Sequence, residues 1–370
     1  MIACTINNGF PIIHSDILIS ERQRTETFYV PALIQNLMTL LPDGKTYYPS
    51  ALKRKVSIVN DRICFAFSGK TWYAERLLED LKAYCKVFNE VSKSNIEAFF
   101  SNYDLTDFNG EMSFFIVIME QNKEGFVPFI FSNNSWVVKD VGVFGTIYLL
   151  GSGADDFIKS AEDIDWGYSN IPSSPSEAVQ INMALISSIL SRERVDQHTF
   201  KNHWGAGVET VYFDGSRFVN LGQISFVFNH WLMDSEDEFA YPMPLKVTNY
   251  KYIGEFLFIV DVESSKWKRK IEVDKVIVEF DDFNVGYFVV SDIDYKEKID
   301  WSMFMDKVSF SSTFVGMGYI IIKGNKGFSP AGFHGRRDIS VEYEHNKSLR
   351  IEIQRNVYNQ VKHVVANHQF

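Results

Sequence analysis

The run Ser68-Gly69-Lys70-Thr71 lies between a predicted strand and a predicted helix, where such a sequence could bind phosphate. A phosphate-binding loop also needs an earlier glycine, because its backbone amides must wrap around the phosphate oxygens. Cys64, inside the predicted strand, takes the place of that glycine. We therefore expect a glycine turn between strand and helix here, rather than a nucleotide site.

Two pairs of histidines could bind a metal ion, His198 with His203 and His363 with His368. The members of each pair are five residues apart, whereas a helix brings residues four apart onto one face. The hydrolase motif Gly-x-Ser-x-Gly does not occur around Ser152 or elsewhere in the sequence. The sequence thus predicts no metal site, and we expect no cofactor.

Three cysteines, Cys4, Cys64 and Cys85, are an odd number at irregular spacing. This pattern supports neither a disulfide framework nor a zinc site, and it is typical of a reducing compartment. No basic segment or apolar stretch precedes Cys4, as one would in a lipoprotein signal. No apolar run approaches the ~18 residues of a membrane span. We expect a cytoplasmic protein with free thiols that does not enter a membrane.

The overall composition narrows the class of protein. The net charge of -10, from 37 basic and 47 acidic residues, argues against a nucleic-acid binder, which needs a basic surface to displace phosphate counterions. The 32 Phe, 17 Tyr and 7 Trp, set against 10 Pro, favour strands over helices. A length of 370 residues indicates two domains, at roughly 150 residues per domain.

The first part of the chain alternates strands with helices. The turn signal Asn7-Asn8-Gly9 joins two short strands, and Asp16 ends the second of them. Apolar residues recur at helical spacing from Trp72 to Phe88. Ser174-Pro175-Ser176-Glu177 combines an N-cap, a first-turn proline and a capping-box glutamate, and so predicts the start of a helix. The expected order is strands, two helices, strands, two helices, strands.

The pattern of secondary-structure signals changes at the acidic run Asp234-Ser235-Glu236-Asp237-Glu238. After it, strand patterns dominate, so we expect a linker here and a β-rich domain of sandwich or barrel type beyond it. The predicted strands are Phe256 to Val262, Val273 to Phe280, Tyr287 to Val290, Tyr319 to Ile322, Ile339 to Tyr343 and Leu349 to Ile353. The predicted domains are therefore residues 1–235 and 236–370.

Four pieces of the first 230 residues, in their order and spacing, resemble the proteasome β-subunit family of N-terminal-nucleophile (Ntn) hydrolases. They are the opening hairpin from Met1 to Asp16, Lys55-Val56-Ser57-Ile58 with Phe67-Ser68-Gly69 and the Trp72 helix, Leu150-Gly151-Ser152-Gly153-Ala154, and Ser176-Glu177-Ala178 with Gly205-Ala206-Gly207-Val208. The resemblance implies an α+β fold, a four-layer αββα Ntn-hydrolase sandwich, followed here by the β-rich second domain.

In that family the first residue of the chain, usually threonine, is the nucleophile, and its free α-amine is the base. A lysine beside it lowers the pKa of the amine, and an aspartate orients the lysine. The resemblance assigns the aspartate to Asp16, the lysine to Lys55 and the serine of the Gly-Ser-Gly turn to Ser152. Without the resemblance, Asp16 would be a turn cap, Lys55 a solvated strand-end charge and Ser152 a helix cap.

The nucleophile itself is the point where the sequence departs from the family. Counted back from Gly9 and Asp16, Met1 falls at about the second residue of a mature family subunit, and a thioether cannot attack a carbonyl. The family's second aspartate and serine are replaced by Asn202 or a neighbour and by Gly205.

The leading hypothesis is therefore a catalytically silent proteasome-like protein. It would act through binding or assembly, with a protein partner or as a homo-oligomer, and its C-terminal domain would recognise the partner. The basic clusters Lys266-Trp267-Lys268-Arg269-Lys270 and Gly335-Arg336-Arg337 are expected to be solvated loops. The alternative is an amide or peptide hydrolase that uses Cys4 or Thr5 as nucleophile after N-terminal trimming, with Lys55 and Asp16 tuning it. A structural ring or tube subunit is a third possibility.

Overall fold

The computed structural model describes residues 1–31, 33, 36–41, 44–88, 91–108, 110–133, 137–165, 171–196, 198–232, 243–312, 314–323, 326–328, 331–335 and 338–359. The predicted linker at 234–238, His363, His368, Arg336 and Arg337 lie outside these residues. Strands and helices are both extensive, so the α+β class is confirmed.

The first half follows the predicted order of elements, except that a short third helix, His198–Lys201, comes last in the second helical stretch. Its strands are β1 Ile2–Asn7, β2 Phe10–Asp16, β3 Leu18–Glu21, β4 Tyr48–Leu52, β5 Val56–Asn60, β6 Ile63–Gly69, β7 Met112–Asn122, β8 Gly125–Ser132, β9 Val137–Val141, β10 Gly145–Leu150, β11 Val208–Phe213 and β12 Phe218–Asn220. Its helices are α1 Thr71–Cys85, α2 Lys93–Ser101, α3 Ala154–Asp165, α4 Pro175–Asp196 and α5 His198–Lys201. The predicted opening hairpin and the predicted start of α4 are confirmed.

Two sheets form the centre of this half. One has the strand order β12-β11-β2-β1-β10-β9, and the other has the order β5-β6-β7-β8. Ile2 and Cys4 of the first sheet share a core with Cys64 and Phe115 of the second. The two sheets therefore pack face to face.

Helices cover both outer faces of this pair of sheets. Leu77 of α1 and Ile96 of α2 pack with Phe65 on the β5–β8 sheet. On the opposite side, Phe157 of α3 and Leu185 of α4 belong to the core that includes Ile12 of β2. The layers run helices, sheet, sheet, helices.

The second half forms a further sheet. Its strands are β13 Ile224–Leu232, β14 Met243–Ile253, β15 Phe256–Ile271, β16 Lys275–Val290, β17 Phe310–Ser312, β18 Phe314–Lys323, β19 Lys326–Phe328, β20 Ala331–Gly335, β21 Ile339–Glu344 and β22 Ser348–Gln354, with a short helix α6 Ser302–Met305. The strand order is β17-β21-β22-β16-β15-β14-β13-β18-β19, and β20 also pairs with β18. Val315 of β18 and Val341 of β21 share one core, so the sheet curls around it.

In this half the structure has one continuous strand where the sequence predicted two separate strands. The sequence predicted Val273 to Phe280 and Tyr287 to Val290, whereas β16 runs through both. Asp282 lies opposite Lys266 of β15, next to a bulge, and the two side chains form an ion pair at 3.4 Å. Backbone pairing with β15 continues through this stretch, from Leu257 opposite Val290 to Ile271 opposite Val276, so the prediction of two separate strands was wrong.

The two halves share a core. The strand β13, which precedes the predicted boundary at residue 235, pairs with β14 and with β18 of the second half. Residues 181–191 of α4 are buried on every side, as expected of a helix packed between two layers. A Cβ at Gly316 of β18 would clash with Ser187 of α4. The C-terminal sheet thus lies directly against α4.

Candidate functional site

Asp16 is the centre of a buried group of charges at the end of β2. Because β1 and β2 pair with Ile2 opposite Ser15, Met1 must lie beside Asp16, and its α-amino group donates to Asp16 Oδ1. Lys55 Nζ lies 2.9 Å from Oδ1 and 3.0 Å from Oδ2. The backbone N–H groups of Leu18 and Gly205 each donate to Oδ2 at 3.2 Å. The structure therefore brings Asp16 and Lys55 together with the terminal amine.

Burial and the neighbouring charges shift the pKa values of Asp16 and of the Met1 amine. Burial favours the neutral form of Asp16, but Lys55 and the Met1 amine outweigh it and lower the pKa of the carboxyl. The pKa of the Met1 amine is lowered from 8.0 to about 6: burial is the largest cause, Asp16 opposes it, and Lys55 adds to the lowering. At neutral pH the amine is therefore mostly uncharged and can accept a proton. The thioether of Met1 has no proton to give.

The Gly-Ser-Gly turn after β10 closes over the amine. A Cβ at Gly151 would clash with Ser68 and would lie 3.5 Å from the Met1 nitrogen. A Cβ at Gly153 would lie 2.8 Å from the Met1 Cβ and 2.7 Å from the ring of Trp204. Only glycines allow the backbone this close. Ser152, between them, is exposed.

A surface cleft of about 440 Å³ opens onto this group. Met1, Lys55 and Ser152 line the cleft, and Asp16 lies directly behind Lys55. The three predicted supporting positions, Asp16, Lys55 and Ser152, therefore lie together. The other lining residues are Leu18, Ile19, Ser20, Glu21, Tyr47, Ser68, Gly69, Lys70, Thr71, Trp72, Gly110, Glu111 and His203. Trp72 is 53% exposed and Tyr47 is 40% exposed, which gives the cleft an aromatic rim.

The run Ser68-Gly69-Lys70-Thr71 borders the cleft as a turn. Gly69 has φ +113° and ends β6, and the backbone N–H of Lys70 donates to Glu111 O at 3.0 Å. The side chain of Lys70 pairs with Glu111 at 2.7 Å. The predicted glycine turn is confirmed.

The two alternative nucleophiles lie away from the cleft. Cys4 and Thr5 are consecutive residues of β1, so they point to opposite faces of the sheet. Cys4 is buried between the two sheets, and burial raises the pKa of its thiol. The Thr5 hydroxyl is buried against Asn182 of α4 at 3.0 Å. In this chain, neither side chain contacts Asp16 or Lys55 through any described hydrogen bond.

The departure from the family pattern at Gly205 has a structural counterpart in Glu193 of α4. Glu193 Oε2 accepts from the Thr199 hydroxyl at 2.9 Å and from the Ala206 backbone N–H at 3.3 Å. A Cβ at Gly205 would clash with this carboxyl. Asn202 instead donates to Asp156 at 3.3 Å. The space for a side chain at 205 is therefore filled by a glutamate from the helix.

Sequence reasoning missed two buried glutamates, although their positions carried a signal. Glu193 is four residues after the buried Ile189, on the same face of α4 one turn further along. Glu209 alternates in phase with Val211 and Phe213, which face the second sheet. A charged residue in phase with buried apolar residues indicates a buried polar network.

Over the residues that the structure describes, no group of three or more His, Cys, Asp or Glu side chains could hold a metal ion. In the same part of the chain, no helix is both long enough and apolar enough to cross a membrane. The three cysteines are free and buried.

Comparison with protein-family models gives no match to this chain, and neither does comparison with curated proteins. The resemblance to the proteasome β-subunit family therefore stays a prediction from the sequence motifs.

Proposed function

We propose that this chain is a proteasome-like Ntn-fold protein that acts by binding or assembly rather than by catalysis. Its partner would be another protein or further copies of the same chain. The observation that carries the proposal is the identity of the residue beside Asp16 and Lys55: it is Met1, and its side chain cannot attack a carbonyl.

The layer order supports the fold part of the proposal. Two face-to-face sheets with helices on both outer faces are what the Ntn-hydrolase sandwich requires. The hairpin β1–β2 lies in the middle of its sheet, with β10 and β11 on either side, which puts the start of the chain at a sheet end next to Lys55. This is the place where the family's chemistry would occur.

The charge arrangement supports a site descended from, or shaped like, an Ntn active site. An amine held by an aspartate and a lysine, with a lowered pKa, has the properties of the family's base. A base needs a proton donor to activate, and the thioether of Met1 is not one. What remains is a cleft with charges and an aromatic rim that can bind a ligand without cleaving it.

The aromatic rim favours a protein segment as the ligand. Tyr and Trp supply much of the binding energy in protein interfaces, because they bury large apolar areas at a small cost in rotamer entropy. Trp72 and Tyr47 are both exposed at the cleft. Glu21, Lys70 and Glu111 add charges of both signs for orienting a peptide backbone or its side chains.

The decisive experiment restores the nucleophile. A gene encoding Thr in place of Met1, behind an initiator methionine that is removed before small residues, would display an N-terminal threonine. The matched control is Val in place of Met1, which is processed in the same way and keeps the free amine but has no hydroxyl. We expect electrophiles that capture N-terminal nucleophiles to modify the Met1→Thr protein, but neither the Met1→Val protein nor the native chain.

The mass of the purified native protein tests the alternative hydrolase. A mass lacking three or four residues would show trimming to Cys4 or Thr5, and an electrophile adduct on that species would overturn the non-catalytic proposal. Light scattering tests assembly, because a ring or tube subunit would form a large particle.

A further inference from the structure

Glu209 of β11 joins the two elements that carry Asp16 and Lys55. Its Oε1 accepts from the Ser15 hydroxyl at 2.8 Å and from the backbone N–H groups of Lys55 at 2.6 Å and Val56 at 3.0 Å. Glu209 is 1% exposed. A single buried carboxylate thus holds the residue before Asp16 and the backbone of Lys55 at the same point.

Arg54 connects this carboxylate to the second half of the chain. Its Nε donates to Glu209 Oε2 at 3.0 Å, and its NH1 donates to Glu255 O at 2.8 Å and lies 3.1 Å from Asp292 Oδ1. The guanidinium also lies 5.0 Å from the ring centre of Tyr252. Arg54 is 3% exposed, so these contacts are shielded from water.

The backbone beside Arg54 is held from the same side. The Arg54 N–H donates to Ser291 O at 3.0 Å, and Lys53 forms an isolated parallel bridge with Ser291. Lys53 Nζ donates to Ser291 Oγ at 2.8 Å. The three residues Lys53, Arg54 and Lys55 are therefore flanked by the cleft on one side and by the segment after β16 on the other.

We propose that Glu209 and Arg54 are positioning residues for Lys55 and that Asp292, from the C-terminal half, completes their network. The C-terminal half is then part of the frame of the cleft as well as a surface for a partner. The position of Lys55 depends on a chain of contacts that runs from Asp292 through Arg54 and Glu209. The significance of Lys55 rests on the proposed function, but its position can be measured without any ligand or reaction.

Trace labelling of the full-length protein with acetic anhydride measures the rate at which each amine is acetylated. Fragmentation spectra of the digested protein separate Lys55 from Lys53. We expect Glu209→Gln and Asp292→Asn each to raise the labelling rate of Lys55 by about threefold to tenfold, because local opening sets the exposure of a buried amine. Gln keeps the acceptor for the Lys55 N–H but presents an amide N–H₂ to Arg54.

Two controls separate positioning from general loosening. Asp294→Asn changes the same segment, but Asp294 pairs with Lys82 of α1 at 2.8 Å rather than with Arg54, so Lys55 should stay at the native rate. Lys246 is a second buried lysine, 3% exposed and paired with Asp261, and its rate should stay unchanged in every variant.

Three results would overturn the proposal: native labelling of Lys55 in both test variants, an equal rise in Asp294→Asn, or a parallel rise at Lys246. If Glu209→Gln does not fold, Asp292→Asn alone decides. Because no ligand takes part in the labelling, its outcome does not depend on the outcome of the Met1→Thr experiment. Either proposal can therefore fail without the other.

Discussion

The α-amino group of Met1 donates a hydrogen bond to the carboxylate of Asp16, and both groups are fully buried. This contact follows from the register of β1 with β2, since the residue before Ile2 must face the residue after Ser15. Lys55, in the segment just before β5, completes the group. Because the amine and the carboxylate are buried together beside Lys55, the pKa values of the Met1 amine and of Asp16 depend on each other and on the Lys55 charge.

The pKa of the Met1 amine should respond in opposite directions to its two neighbours. Removing the positive charge with Lys55→Met should raise the pKa, and removing the negative charge with Asp16→Asn should lower it below the native value of about 6. The titration of the Met1 ¹³Cα signal in methionine-labelled protein measures the pKa directly. A native titration near the ordinary value of 8.0 would contradict the prediction.

Breaking the Asp16–Lys55 pair should be costly. Asp16→Ala leaves Lys55 buried without its counter-charge, so we expect a loss of about 3–5 kcal/mol in the free energy of unfolding. The double variant Asp16→Asn/Lys55→Met should lose less stability than the sum of the losses in Asp16→Asn and Lys55→Met. Urea unfolding of the native protein, these two single variants and the double variant measures this difference. Asp261→Ala, at the buried pair with Lys246, is the matched control: it should destabilise the protein but leave the Met1 titration unchanged. Additive losses at Asp16 and Lys55 would show that the pair is not coupled.

Glu193 should make the protein less stable as the pH rises. Its pKa is raised to about 8: burial is the largest cause, Thr199, the Ala206 N–H and Arg194 oppose the change, and the nearby Asp16 charge adds to it. In the unfolded chain the carboxyl ionises near 4.5, so between these values the folded state holds a proton that the unfolded state has released. The stability contribution is thus full below the unfolded pKa and is lost as the pH approaches 8, by about 1 kcal/mol per pH unit.

Glu193→Gln should remove this loss, because the amide stays neutral. Urea unfolding at about pH 5 and about pH 8 should therefore show a smaller decrease for Glu193→Gln than for the native protein. Glu162→Gln, an exposed change on α3, should behave like the native protein. An identical pH dependence in Glu193→Gln and native protein would mean that Glu193 is ionised in the folded state.

Gly69→Ala should destabilise the protein more than Gly110→Ala, although both glycines line the cleft and both have positive φ. A Cβ at Gly69 would clash with Glu111 O, whereas a Cβ at Gly110 would meet nothing within 4 Å. We expect about 1 kcal/mol for Gly110→Ala from backbone strain alone, and about 3 kcal/mol for Gly69→Ala. Equal midpoints and slopes in urea unfolding would be inconsistent with the close approach at Gly69.

Much of the local structure could be predicted because the relevant forces act over a few residues. The turn at Asn7-Asn8-Gly9, the period of α1 and the capping box before α4 each predicted the element that formed. Local patterns failed at β16, where they predicted two separate strands, Val273 to Phe280 and Tyr287 to Val290, but the contact with β15 continues between them. That contact joins residues whose proximity depends on strand register, which no local pattern reports.

The sequence by itself determined that the fold is α+β, that Asp16 ends a strand and that Gly151-Ser152-Gly153 opens a helix, because periodicity, turn residues and caps are properties of neighbouring positions. The resemblance predicted Asp16 and Lys55 in one site, but only the tertiary structure decided that the Met1 amine contacts Asp16 there, that Glu193 fills the space at Gly205, and that Asp292 reaches Arg54. Each of these contacts joins residues far apart in the chain, and burial gives each its effect: away from water, one carboxylate is enough to set the position and ionisation of the groups around it.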